Sequence, residues 1–189
     1  MAHYSYPAAP DLETVRDFVN TVHYEQGEVD EQLATPEALA AFLAERGLLA
    51  GGTSVKPADL RRALDVREAL RALAGANNGE PVDPDAVELL NRTAARARLA
   101  AGFGADGSSQ IAPAAAGVDG ALGSMLATVL RAMGEGTWSR MKACGNPDCR
   151  WVFNDASKNQ SARWCEMASC GNRMKARRFR ERARQAAER

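Results

Sequence analysis

The sequence predicts a mainly α fold of the α+β class. A helical N-terminal domain with one small β-hairpin is followed by a C-terminal four-cysteine module that ends in a basic helix. Three observations carry this expectation. Apolar residues recur at three- and four-residue spacing in five stretches before residue 135, the period of one helix face. All four cysteines lie between Cys144 and Cys170. Seven Lys and Arg residues crowd the stretch from Asn172 to Ala187.

The elements follow in order. Asp11 is placed to cap a first helix whose stripe is Leu12, Val15, Phe18, Val19 and Val22. Thr35-Pro36-Glu37 is a helix start: a capping hydroxyl, proline at the first helical position and an acid in the first turn. That helix carries Leu39, Phe42 and Leu43 and stops at Gly47. Pro57 opens a third helix with Leu60, Leu64, Val66, Leu70 and Leu73, closed by Asn77-Asn78-Gly79. Asp83-Pro84 opens a fourth, with Val87, Leu90 and Ala94 on one face. Between Phe103 and Ile111, Asp106-Gly107 marks the tip of a β-hairpin. The glycines there do not have the spacing of a phosphate-binding loop. The fifth helix is the strongest, with Val118, Leu122, Met125, Leu126, Val129, Leu130 and Met133 read as core packing. Composition shifts at Gly134–Trp138, which divides the chain into domains 1–137 and 138–189 joined by a linker too short to decouple them.

Composition narrows the function classes. With 46% hydrophobic and 25% charged residues among 189, wholesale disorder is excluded and one sizeable core is affordable. No apolar run reaches the roughly 18–20 residues of a membrane span. The opening Met1-Ala2-His3-Tyr4 lacks the basic start and apolar stretch of a secretory signal, so the expected location is cytoplasmic. The net charge is zero but polarised. Residues 1–139 hold 11 basic and 19 acidic residues, and residues 140–189 hold 13 and 5. A basic tail on an acidic body points to a polyanion partner or to mutual attraction of the two parts.

The cysteines read Cys144-x4-Cys149, fifteen residues, then Cys165-x4-Cys170. Two knuckles joined by a short arm supply four soft ligands for tetrahedral zinc, and four thiolates leave no open position for catalysis. A redox pair more often has two intervening residues, and disulfides require an oxidising compartment. A tail of this size also requires a staple to fold. Cys144-Gly145-Asn146-Pro147-Asp148-Cys149 has the turn residues of a knuckle, and Trp151 and Trp164 are expected to form a miniature core.

The terminal helix, with Asn172 as its cap, carries two basic stripes. Arg173, Arg177, Arg180 and Arg184 share one arc, and Lys175, Arg178 and Arg182 share another. Ala176, Phe179, Ala183 and Ala186 lie between them and are expected to face the zinc core. Arginine forks grip phosphate or guanine, so these seven cations are candidate contacts to double-stranded DNA, with Arg173 the candidate base reader. Lys158 and Arg163 extend the patch. In the body, Asn20 and His23 are polar positions expected on an apolar helix, and they are candidates for lining a small-molecule pocket. No nucleophile–base pair or paired carboxylates with diagnostic spacing occur, so no catalytic residues are assigned and an enzyme is not expected.

The run Cys144-Gly-Asn-Pro-Asp-Cys149, Trp151-Val-Phe-Asn-Asp155, Arg163-Trp164-Cys165 and Cys170-Gly171-Asn172-Arg173 resembles the CGNR zinc-finger family. Asp17-Phe18-Val19-Asn20-Thr21-Val22-His23 and Thr35-Pro36-Glu37-Ala38-Leu39 are similar to the helical domain that precedes this finger in the family. Asn154 departs from the acidic or small polar residue expected there. The resemblance implies a zinc-dependent, DNA-binding transcription regulator whose N-terminal domain senses a small-molecule effector or mediates a homodimer. Two other readings of the residues are a zinc-stapled protein-interaction module and a small-molecule-binding or enzymatic N-terminal domain.

Overall fold

The computed structural model describes residues 10–25, 28–103, 107 and 109–187. Their local signals act where the sequence puts them. The Thr35 hydroxyl accepts from the Ala38 amide at 3.2 Å and starts α2 (Pro36–Glu45), which ends before Gly47 in the left-handed region at φ 67°. The Asp59 carboxylate accepts from the Lys56 amide at 2.8 Å at the start of α3 (Pro57–Ala76). Asp83 caps α4 (Pro84–Arg96) through the Asp85 and Ala86 amides. The anticipated hairpin is present as β3 (Leu99–Phe103) and β4 (Ser109–Pro113), antiparallel with Leu99 opposite Pro113 and Phe103 opposite Ser109. Asp106, proposed for its tip, lies outside the described residues.

The long helix α5 (Gly117–Gly134) runs through the middle, against α1 (Pro10–Val19), α3, α4 and β4. It comes close to the hairpin base at Gly123, where a Cβ would lie 2.5 Å from the Ala97 Cβ and 2.9 Å from the Pro113 Cβ. Its stripe Val118, Leu122, Met125, Leu126 and Val129 is buried with Leu12, Phe18, Leu43, Val66 and Leu70. Leu130 and Met133, expected in that core, are 45% and 40% exposed and line an apolar groove with Leu70, Leu73, Leu90 and Val129.

One departure from expectation matters for the site. The first helix stops at Val19 instead of running to Val22. The Thr21 hydroxyl donates back to the Phe18 carbonyl at 2.8 Å, and the Thr21 carbonyl accepts from the Gln32 amide at 2.8 Å. The chain then enters an unanticipated hairpin, β1 (Val22–Glu25) with β2 (Glu28–Glu31), pairing Val22 with Glu31 and His23 with Asp30. The β-branched Val22 and the aromatic Tyr24 suit the strand. Arg67 of α3 pins this hairpin with a two-pronged grip on Glu31, 2.7 Å on each oxygen. Burial pushes the Glu31 carboxyl up, but the Arg67 guanidinium and the Leu33 amide outweigh it and hold it below its ordinary value.

The body also meets the metal module along a seam. A short 3-10 turn (Trp138–Arg140) leads into β5 (Met141–Ala143), which pairs antiparallel with β6 (Val152–Asn154). Trp138, Met141, Ala143 and Val152 belong to the same hydrophobic cluster as the helices, so one core crosses residues 137–138. Polar side chains of the body hold the seam. Asn77 Nδ2 donates to the Trp138 and Met141 carbonyls at 2.9 and 2.8 Å. Asn78 Nδ2 donates to the Ala143 and Arg163 carbonyls at 2.7 and 2.9 Å. Arg71, buried to 1% exposure, donates to the Val19 and Arg150 carbonyls at 2.5 and 3.0 Å and pairs with Glu68 at 3.0 Å. Among the described residues no helix is long and apolar enough to cross a membrane.

Candidate metal centre

The two knuckles converge. Cys144 follows β5 and its amide donates to the Trp151 carbonyl at 2.9 Å, closing the β5–β6 hairpin around the first knuckle. Asn146 builds that knuckle. Its carbonyl accepts from the Cys149 and Arg150 amides, its Oδ1 accepts from the Asp148 amide at 3.2 Å, and its Nδ2 donates to the Cys170 Sγ at 3.5 Å. Such a donor orients a thiolate ligand and offsets part of its charge. Arg150 completes the turn in the left-handed region at φ 52°. The second pair is carried by Cys165 and by Cys170 in a wide π turn, Met167–Gly171.

The sulfurs of Cys144, Cys149, Cys165 and Cys170 all lie within 4.8 Å of one another. Cys149 to Cys165 and Cys165 to Cys170 are each 3.7 Å. Four sulfurs at the corners of a tetrahedron, each about 2.3 Å from zinc, stand about 3.8 Å apart. Disulfides, at about 2.05 Å, are excluded at this spacing, and all four thiols are free. Hydrogen bonds from Cys149 and Cys165 pull the Cys144 thiol down to about 2. The same sharing pushes Cys149 up to about 12 and Cys165 upward as well. One negative charge is readily accommodated by the bare cluster and further ones repel it, so a divalent cation is what allows four thiolates together. The donor set, the spacing and the burial of Cys144, Cys149 and Cys170 fit Zn2+.

The expected miniature core is there: Trp151, Phe153 and Trp164 pack on the cysteines. Trp164 also explains two glycines. A Cβ at Gly145 would lie 3.1 Å from its ring, and one at Gly171 would lie 3.1 Å from it as well while striking the Met167 sulfur. The arm between the knuckles is held from inside by Lys142 and Asp155, an ion pair at 2.7 Å with both side chains buried. Asp155 also accepts from the Ser157 and Ala162 amides, and Lys142 Nζ donates to the Gln160 carbonyl.

The basic helix α6 (Asn172–Ala187) continues directly from the π turn. Asn172 is therefore not its cap: it has helical geometry, φ −69° and ψ −40°, and its side chain donates to the Ala168 carbonyl. Arg173, Lys175, Arg177, Arg178, Arg180, Arg182 and Arg184 are all exposed. Arg177 reaches Glu181 at 3.2 Å and Asp148 at 3.9 Å, and with Arg173 and Arg180 it lines a groove of 690 Å3 beside the first knuckle. The expectation that Ala176, Phe179, Ala183 and Ala186 face the zinc core is corrected: all four are exposed. The helix packs chiefly on its own π turn, and Ala176 borders the groove beside the first knuckle.

Neither Asn20 nor His23 lies within a helix. Asn20 is buried in the seam, its amide bound to Val152. His23 stands on β1 with its ring edge-on to Trp151, centroids 5.2 Å apart, and opens on a cleft of 440 Å3 shared with Tyr24, Phe153, Cys165 and Arg173. Sequence reasoning missed Arg71, Asn77 and Asn78 as supports of the metal module. The paired asparagines at a helix end were a signal of turn formation alone.

No curated protein matches the chain. Residues 140–183 match the model of the CGNR zinc finger. Residues 12–135 match the ABATE family model, described as "Putative stress-induced transcription regulator". Both descriptions are of a regulator and a zinc finger, not of an enzyme. With four cysteines set for tetrahedral zinc behind a helical body, the chain belongs to the ABATE family and ends in a CGNR zinc finger.

Proposed function

We propose that the chain is a zinc-dependent transcription regulator that binds double-stranded DNA through α6. In this reading residues 138–189 are the DNA-reading domain and residues 1–137 the regulatory domain. The observation that carries it is a helix with seven exposed cations against one acid, Glu181, rooted at Cys170 in the metal centre. A rigid root gives the arginine forks fixed positions, which phosphate and base recognition need. The cation stripes supply phosphate contacts, and Arg173, next to the root, reads bases. The regulatory half senses a small-molecule effector at the cleft beneath His23, which joins β1 to the finger. It also offers a surface for a homodimer. Reduced thiols suit a cytoplasmic location.

Selection of bound duplexes from a random pool, followed by anisotropy titration of the zinc-loaded chain, tests the reading. With roughly four to six phosphate contacts, log affinity falls against log salt with a slope of about −4 to −5. Absence of binding at about 50 mM salt, where counterion release favours association most, overturns it.

A further inference from the structure

The apolar stripe of α6 faces solvent, and Phe179 at its centre is 68% exposed. Phe179 shares this exposed stripe with Ala176, Ala183 and Ala186, and a contiguous apolar surface, unlike a single exposed residue, marks an interaction face. The rest of the helix says which. At about 100° per residue, Ala176, Phe179, Ala183 and Ala186 span one stripe, and the two cation arcs centre about 90–110° to either side of it. The remaining side carries Met174, Gln185 and the acid Glu181, with Glu181 opposite the stripe.

A second α6 laid on this stripe would bring arginine arcs face to face, and like charges oppose that pairing. A partner that satisfies all three surfaces is apolar in the middle and negative on both flanks. The B-DNA major groove has that pattern. It is about 12 Å wide and admits a helix of about 10–12 Å, its walls are two phosphate backbones, and its floor displays the thymine C5-methyl groups. The three alanines are small enough to bring the helix backbone close to the floor. They offer too little apolar area for a helix that anchors by burying Trp, Phe and Leu in lipid.

We propose that Phe179, flanked by Ala176 and Ala183, contacts thymine methyl groups in the major groove and is a specificity-determining residue of this chain. The proposal rests on the DNA-binding reading above and adds the face that enters the groove.

The test uses the full zinc-loaded chain, the duplex selected by the wild type, the same duplex with deoxyuridine replacing thymine, and the variant Phe179→Ala. The selected site contains thymine. Removing its methyl groups weakens wild-type binding by about fourfold per contacted methyl, the worth of one buried methyl-sized group. Phe179→Ala removes the difference between the two duplexes and keeps the salt slope. Phe179 is mostly exposed and alanine favours helix, so the variant folds, with unchanged far-ultraviolet circular dichroism as the control. Equal wild-type affinity for both duplexes, or discrimination retained by Phe179→Ala, overturns the Phe179 proposal and leaves DNA binding standing. No binding to any duplex overturns the DNA-binding reading itself. Phe179-dependent binding to vesicles of anionic lipid in place of DNA overturns both.

Discussion

The side-chain amide of Asn20 forms both of its hydrogen bonds with one residue, Val152: Nδ2 donates to the carbonyl at 2.8 Å and Oδ1 accepts from the amide at 2.9 Å. Asn20 thereby acts as one residue's worth of a third strand beside β6, and it ties the end of α1 to the hairpin that carries the first knuckle. Asn20→Ala leaves two buried backbone groups without partners, at a cost of about 2–3 kcal/mol. Hydrogen exchange at the Val152 amide accelerates, and the urea midpoint falls. Unchanged protection at Val152 would show that the seam does not depend on this residue.

Zinc removal reaches beyond the finger, because Met141, Ala143 and Val152 belong to the main core. With free zinc about a thousandfold above its Kd, linkage supplies about 4 kcal/mol, or about 8–16 °C of thermal midpoint for a chain of this size. Chelation removes that increment and loosens the packing around Trp151 and Trp164, which near-ultraviolet circular dichroism reads. Cys165→Ser reproduces the effect without chelator. A midpoint indifferent to zinc in the wild type would refute the structural role of the metal.

The Glu31–Arg67 pair makes the body sensitive to acid. The folded-state pKa of Glu31 is lowered from 4.5, so its contribution is fully present above that value. It is lost as pH falls through the lower folded value. Glu31→Gln leaves Arg67 buried with a weaker partner, at a cost of about 2–3 kcal/mol at neutral pH given the partial exposure of the carboxylate. The stability difference between wild type and variant narrows steadily below pH 4.5 in urea unfolding. A difference that is constant with pH would remove the ion pair from the account.

Within the DNA-binding reading, the arginines of α6 divide by role. Arg180→Ala and Arg184→Ala each weaken binding to every sequence alike and flatten the salt slope by about one. Arg173→Ala costs about 1–3 kcal/mol on the preferred site and relaxes its sequence preference. Titration of a preferred and a scrambled duplex at two salt concentrations separates these outcomes. A uniform loss from Arg173→Ala would make it another phosphate contact.

Short-range chemistry made part of this fold legible from residue order alone. Thr35-Pro36 and Asp83 start helices because a side-chain oxygen reaches an amide two or three residues on. Leu99–Phe103 and Ser109–Pro113 pair because strands this near in sequence meet at little entropic cost. The metal site was legible because each cysteine pair lies on one knuckle and thiolate chemistry admits few partners. Features that depend on distant partners or on the phase of an element were settled by packing. Val22 has helical spacing, yet the helix stops at Val19 because Arg67 and Glu31 organise a hairpin there. Asn20 and Val152 are 132 residues apart, and no local pattern pairs them. The arcs of α6 could be drawn from sequence alone, but not the direction each one faces. That direction is set at the π turn, Met167–Gly171, where a wider turn fixes the rotation of the helix that follows and leaves Phe179 in solvent.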